Sequence, residues 1–147
     1  MPHRPTAIDV ANYFLSLADS EAGDTLSNLS LNKLCYYAQG FHLALHGEPL
    51  FDEVIEAWTH GPVVPSVYHQ FKKYRDRNIP PQPSFNRRLI PVVARDLLDE
   101  VYQVYGQYSA WKLRNMTHEE PPWRDAVATN GIISHAALRN YFITLVE

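Results

Sequence analysis

The sequence predicts a mainly α fold: a compact single domain, residues 1–147, of five to six helices with a small two-stranded β element. Three observations support this prediction. The chain has 147 residues, which is the size of one domain. Apolar residues recur with helical spacing in most of its segments. Short proline-rich turns separate these segments, and long alternating strands are not found between them.

The N-terminal third predicts two helices. Thr6 is a suitable N-cap for the first, with Asp9 in the first turn, and the segment 20–28 has the composition of a loop. The second helix is the best defined. Ser30 is a suitable cap, apolar residues follow at i, i+3 and i+4, and Gly47 lies where a glycine commonly ends a helix.

A rigid corner is predicted in the middle of the chain. DEVIEAW predicts a short strand over 53–58, with Trp58 packed in the core, and a Gly-Pro pair follows it. Pro65 suits the first turn of a third helix that runs to about Arg75. A proline-rich connection then leads to the segment 84–90, which we expect to be extended and to pair with the first strand.

The C-terminal half predicts three further helices. Pro91 opens the fourth helix, and Ser109 caps a short helix over 110–116. The segment 117–123 predicts a second rigid turn, because it contains two adjacent prolines. Ser134 caps the last helix, whose apolar residues again follow the helical period.

Composition bounds the class of protein. Apolar residues make up 46% of the chain and charged residues 20%, which is ordinary for a globular protein. The single cysteine, Cys35, rules out an internal disulfide framework. The N-terminus has no signal-peptide pattern, and no apolar run approaches the ~20 residues of a membrane span. We therefore expect a cytoplasmic protein with no membrane partner.

Two features of the second predicted helix bear on metal binding and nucleophilic chemistry. His42 and His46 have the i, i+4 spacing that lets two imidazoles share a metal, but Leu43 stands where a HExxH motif has glutamate. We interpret the pair as a core-edge histidine and a helix-end histidine. Cys35 lies on the apolar stripe and is interpreted as a core residue. No metal, cofactor or catalytic residue is expected.

An enzyme remains an alternative. His60 and His118 each follow a threonine in a predicted turn, and Glu119 is next to His118. Two histidines and a carboxylate would suit acid–base chemistry in a hydrolase-like enzyme if the fold brought them together. The structural interpretation is that each histidine stabilises its own turn.

A basic segment lies between Lys72 and Arg95, with seven bases and one acid. Such a segment could contact nucleic acid or an acidic partner. The isoelectric point of about 6.1 is below that typical of nucleic-acid-binding domains. Nucleic acid is therefore not expected as the partner, and a nucleic-acid-binding regulator that uses 72–95 is the second alternative.

Three stretches together resemble a known family: KLCYYAQG at 33–40, EAWTHGPVVPSVY at 56–68 and THEEPPW at 117–123. In this order they are similar to the Panacea antitoxin domain, the SocA-like family that is also described as phage-associated GepA-like proteins. The resemblance extends from about residue 8 to residue 145. It implies an antitoxin encoded beside a toxin in bacteria or phage.

The family resemblance implies a protein partner. Its members neutralise a cognate toxin by direct protein–protein binding, and one member acts as an adaptor that delivers its toxin to the ClpXP protease. Aromatic residues are frequent anchors of protein interfaces, and charge steers the encounter. We therefore predict His60, Tyr68, Lys72 and Trp111 as partner-binding residues, in a monomer or small homo-oligomer.

Overall fold

The computed structural model describes residues 4–18 and 25–146, and the fold is mainly α, as predicted. Seven α-helices, three short strands and several 3₁₀ turns make up this described part. In chain order these are α1 (Ala7–Leu17), α2 (Asn28–His46), β1 (Ile55–Trp58), β2 (Gly61–Val63), α3 (Pro65–Phe71), α4 (Val92–Tyr105), α5 (Ala110–His118), α6 (Pro121–Val127), β3 (Ile132–Ile133) and α7 (His135–Phe142). No helix among these residues is long and apolar enough to cross a membrane.

Helix α2 is the centre of the domain. All of its residues from 30 to 40 are buried, because α1, α3, α4, α5 and α7 pack around it. Gly40 allows α7 to approach α2 closely, because a Cβ at this position would overlap the ring of Phe142 on α7. Ser27, rather than the predicted Ser30, caps the helix, and its hydroxyl accepts the Ser30 N–H at 3.2 Å. Gly47 ends α2 in the left-handed conformation, with φ 73°.

Local capping determines the starts of three other helices, α1, α5 and α7. At the start of α1, Thr6 and Asp9 form a reciprocal capping box, with bonds of 3.1 and 3.0 Å. Ser109 and Ser134 cap α5 and α7 as predicted. Of the predicted loop over 20–28, residues 20–24 lie outside the described residues; residues 25–27 are not helical, and α2 begins at the next residue.

The β element has three strands, in the order β2-β1-β3 with both pairings antiparallel. The prediction of two strands, with 84–90 as the partner of β1, is wrong: Arg87–Leu89 forms a 3₁₀ turn. The reason is the sharp reversal after Trp58. Gly61, with φ 118°, is paired directly with Trp58. The chain from Gly61 to Val63 therefore pairs with β1 as the adjacent strand β2. Pro62 is tolerated because β2 is an edge strand.

Two helix predictions also need correction. Helix α3 ends at Phe71, short of Arg75, and the chain continues as a 3₁₀ turn over Lys72–Tyr74. The predicted rigid turn over 117–123 is largely helical, since α5 extends to His118 and α6 begins at Pro121. Two adjacent prolines suit the first turn of a helix, where their missing N–H groups cost no hydrogen bond.

Candidate functional site

The three stretches that carry the family resemblance meet in one place. The first lies on α2, the second spans β1, β2 and the start of α3, and the third joins α5 to α6. Their side chains pack together around the β1–β2 turn and form what we call the motif cluster: Lys33, Tyr36, Tyr37, Trp58, Gly61, Thr117, His118, Glu120 and Trp123.

Glu120 is the buried carboxylate of the motif cluster. The hydroxyl of Tyr36 donates to its Oε1 at 2.8 Å, and the hydroxyl of Tyr37 donates to its Oε2 at 2.9 Å. Glu120 is only 9% exposed, and burial raises its pKa to about 7 although the two tyrosine bonds act in the opposite direction. Burial and the nearby carboxylate likewise raise the pKa of both tyrosines.

Lys33 is the buried amine of the motif cluster. Its side chain has no solvent exposure, and its one hydrogen bond to the described residues, 3.3 Å long, is donated by Nζ to the carbonyl of Leu29. Burial, and to a lesser degree the positive charge of Arg114, lower its pKa to about 8. The β1–β2 turn closes over the amine: a Cβ on Gly61 would lie 3.0 Å from Lys33 Cε and 2.9 Å from Thr117 Oγ1.

His118 and Trp123 join the turn to α5 and α6. Their rings stack at 3.8 Å with an interplanar angle of 7°, and the Trp123 indole N–H donates to the carbonyl of Trp58 at 2.8 Å. The Nε2 atom of His118 is buried and has no hydrogen-bond partner among residues 4–18 and 25–146. Burial lowers the His118 pKa, and the charges of Arg114 and Lys33 lower it further, so the neutral imidazole is favoured.

An open cleft of about 470 Å³ lies on the outer side of the turn. It brings together two of the predicted partner-binding residues, His60 and Tyr68, and is lined by Leu29, Ala57, Trp58, Thr59, His60, Tyr68 and Val127. Trp58, which we expected in the core, is only partly buried. Its ring packs edge-to-face on Tyr68 at 5.0 Å, and its indole N–H donates to Glu56 at 2.8 Å.

The other two predicted residues lie elsewhere. Lys72 is exposed in the 3₁₀ turn that follows α3, and Trp111 is 68% exposed on α5. Neither residue lines the cleft.

The hydrolase hypothesis required His60, His118 and Glu119 to meet. In the structure His118 is stacked on Trp123, whereas the side chains of His60 and Glu119 are exposed. No hydrogen bond joins the three side chains within the described part of the chain. Cys35 is fully buried in α2, and this burial raises the pKa of its thiol, which makes the thiolate unfavourable.

The two histidines near the end of α2 lie side by side, with ring centroids 4.7 Å apart. Nδ1 of His42 is 2.6 Å from the carbonyl oxygen of Glu48, and burial lowers the His42 pKa. Within residues 4–18 and 25–146, no group of three or more His, Cys, Asp or Glu side chains could hold a metal ion.

Several bases of the 72–95 segment bond within the chain. Arg87 donates to the hydroxyl of Tyr13 at 3.0 Å, and that hydroxyl donates to Asp99 at 2.6 Å. Arg95 donates to the carbonyl of Ile90 at 2.9 Å. The segment therefore contributes to the packing of α1 against α4 and is not uniformly a free basic surface.

Sequence reasoning missed the central residues of the motif cluster. Lys33 lies away from the apolar stripe of α2, so the helical period predicts an exposed side chain. Glu120 falls in a segment with the composition of a turn, where acids are usually solvated. No local signal distinguished either residue, because both are buried by elements distant in the chain.

Comparison with known proteins identifies a family whose model includes the residues of the motif cluster. The family model described as antitoxin SocA-like, Panacea domain, matches residues 31–124 and so includes all three stretches. Antitoxin SocA of Caulobacter vibrioides (strain NA1000 / CB15N) is 43% identical over 70 residues, which cover 46% of this chain and only 37% of that relative. No solved structure matches the chain. Because the family match covers more than half of the sequence, this chain belongs to the SocA-like Panacea domain antitoxin family.

Proposed function

We propose that this protein is an antitoxin that neutralises a cognate protein toxin by binding it directly. Membership of the antitoxin family is the observation that carries the proposal. Two features of the local chemistry support a binding role. Lys33 and Glu120 are buried and His118 is stacked on Trp123, while aromatic rings border an open cleft. We further propose that residues 1–147 form a single domain, and that the protein works in the cytoplasm as a monomer or small homo-oligomer.

The proposed toxin contacts are His60, Tyr68, Lys72 and Trp111. Tyrosine and tryptophan contribute large contact areas at a low cost in side-chain entropy, and they are enriched among residues that dominate binding energy. Tyr68 and His60 share the cleft, whose walls include the apolar side chains of Leu29 and Val127. Lys72 follows the same helix as Tyr68, where its charge would mainly steer the encounter.

Co-expression with the product of the adjacent reading frame tests the proposal. We expect that product to stop growth when it is expressed alone and to be harmless when this protein is co-expressed. The purified proteins should also form a complex. A neighbour that is harmless alone, or that stays lethal beside this protein, would refute the antitoxin role.

Direct inhibition and delivery to ClpXP differ in one measurable respect. Our proposal of direct inhibition predicts that rescue persists in a host that lacks ClpXP, because occupation of the toxin surface needs no protease. If rescue is lost in that host, and co-expression of this protein leaves the toxin half-life unchanged there, the adaptor mechanism replaces direct inhibition.

A further inference from the structure

The exposed side of α5 and the turn before it combine aromatic rings with bases. This surface, which we call the α5 basic-aromatic face, consists of Tyr108 in the turn and Trp111, Lys112 and Arg114 on the helix. Lys112 Nζ lies 5.9 Å from the centroid of the Tyr108 ring, and Arg114 Cζ lies 4.8 Å from that of Trp111. Trp111 is 68% exposed, which is unusual for so large an apolar side chain.

Neither base of this face forms a salt bridge with an acid among the described residues. The salt bridge found within the described residues joins Arg4 to Asp52, in another part of the molecule. The side-chain hydrogen bond of Arg114 goes to the neutral amide of Asn115, at 3.1 Å. The face therefore carries positive charge that no ion pair among the described residues neutralises, although the whole chain has a net charge of −3.

Two further basic groups lie behind the face. Within the described part of the chain, Lys33 is buried in the motif cluster with one bond to a carbonyl, and Nε2 of His118 is buried without a partner. Arg114 acts on both groups, since its positive charge opposes protonation of each. Arg114 itself is partly exposed, so an anion placed beside it from outside would offset this repulsion.

We propose that the α5 basic-aromatic face docks an acidic segment of the partner protein, with carboxylates on Lys112 and Arg114 and an apolar side chain on Trp111. This inference rests on the proposed function, in which that partner is the cognate toxin. Charge complementarity identifies the occupant as acidic, and the exposed tryptophan beside an arginine has the composition of an interface centre. A protein is favoured over nucleic acid because the net charge of the chain is negative.

Binding of the purified toxin encoded by the adjacent reading frame, measured by calorimetry, tests this inference. We expect Trp111→Ala and Arg114→Glu each to weaken binding at least tenfold. Arg88→Glu is the matched control, because Arg88 is an exposed base outside the face, and we expect its affinity to stay within twofold of the original. The affinity of the unchanged protein should fall as salt rises from 50 to 500 mM, and less steeply for Arg114→Glu. Circular dichroism confirms that each variant is folded.

The outcomes separate the two proposals. If the unchanged protein binds the toxin and both face variants bind it equally well, the docking face is wrong and the antitoxin role stands. If the unchanged protein neither binds nor neutralises the toxin, the antitoxin role fails and the docking inference fails with it. If the face variants lose binding of a labelled RNA of mixed sequence but keep toxin binding, the occupant is nucleic acid and the inference is overturned.

Discussion

The indole N–H of Trp123 donates a hydrogen bond of 2.8 Å to the backbone carbonyl of Trp58. This bond joins the first turn of α6 to the end of β1, two segments 65 residues apart in sequence. It holds the β1–β2 turn, and with it one wall of the cleft, against the C-terminal half of the domain. The motif cluster thus has an architectural role, and the contacts that we propose for a partner lie outside this bond.

Replacing Trp123 by Phe removes that donor and keeps an aromatic ring beside His118. We expect a loss of about 1 kcal/mol in the free energy of unfolding, because the Trp58 carbonyl loses its bond. Urea denaturation measures this loss. Trp111→Phe is the control, since its indole is exposed, and it should change stability by less than about 0.5 kcal/mol. Equal effects of the two substitutions would contradict the structural role of the bond.

Glu120→Gln should flatten the pH dependence of stability. The Glu120 pKa is raised from 4.5 to about 7 on folding, so the folded state binds more protons between these values. The original protein therefore loses stability as pH rises through this window, by on the order of 2–3 kcal/mol, whereas the glutamine variant does not. Urea denaturation at pH 5, 6, 7 and 8 gives the difference between the two curves.

Glu119→Gln is the matched control for this experiment, because Glu119 is exposed beside Glu120. Its curve should run parallel to that of the original protein. Histidine titrations are common to all three proteins and cancel in the difference. Parallel curves for Glu120→Gln as well would show that the buried carboxylate does not control this pH dependence.

Lys33→Met should raise stability at pH 7, since it removes a buried charge that forms no salt bridge with the described residues. The Lys33 pKa falls from 10.5 to about 8 on folding, so the unfolded state binds more protons between these values. The original protein should therefore gain stability from pH 8 to 9.5, and the methionine variant should lack this gain. Thermal unfolding at pH 7, 8 and 9.5 measures both effects, with Lys72→Met as the exposed control. A variant less stable than the original at pH 7 would show that the amine is a net stabilising group.

Gly61→Ala should lower the free energy of unfolding more than Gly47→Ala does. Both glycines have positive φ, which a side chain makes unfavourable. A Cβ at Gly47 would meet nothing within 4 Å, whereas at Gly61 it would press on Thr117 and Lys33. We expect about 1 kcal/mol of destabilisation at Gly47 and at least twice that at Gly61. Equal melting temperatures for the two variants would mean that the turn can move away from α2.

Tyr68→Ala should weaken toxin binding at least tenfold if the cleft is a contact surface, because truncation of a central aromatic residue removes a large contact area. Its edge-to-face contact with Trp58 is also lost, so stability should fall by about 1 kcal/mol. Tyr74→Ala is the control: this partly buried tyrosine lies outside the cleft and should alter stability without altering affinity. Unchanged affinity in folded Tyr68→Ala protein would remove the cleft from the interface.

The sequence by itself determined six of the seven described helices and several of their ends, whereas α6 was predicted as a turn. Capping side chains act on backbone groups two or three residues away, so Thr6, Ser109 and Ser134 could be assigned without knowledge of the fold. The same is true of Gly47, whose left-handed conformation is a local property of the chain. The apolar period of α2 predicted a central helix for the same reason.

Only the tertiary structure decided the partners of β1, the burial of Lys33 and the bonding of Glu120. Strand pairing depended on how sharply the chain reverses at Gly61, and not on the composition of residues 84–90. Likewise, Glu120 is buried because Tyr36 and Tyr37 reach it from a helix more than 80 residues earlier. These contacts join segments far apart in sequence, and their energies depend on burial, which a local pattern does not encode.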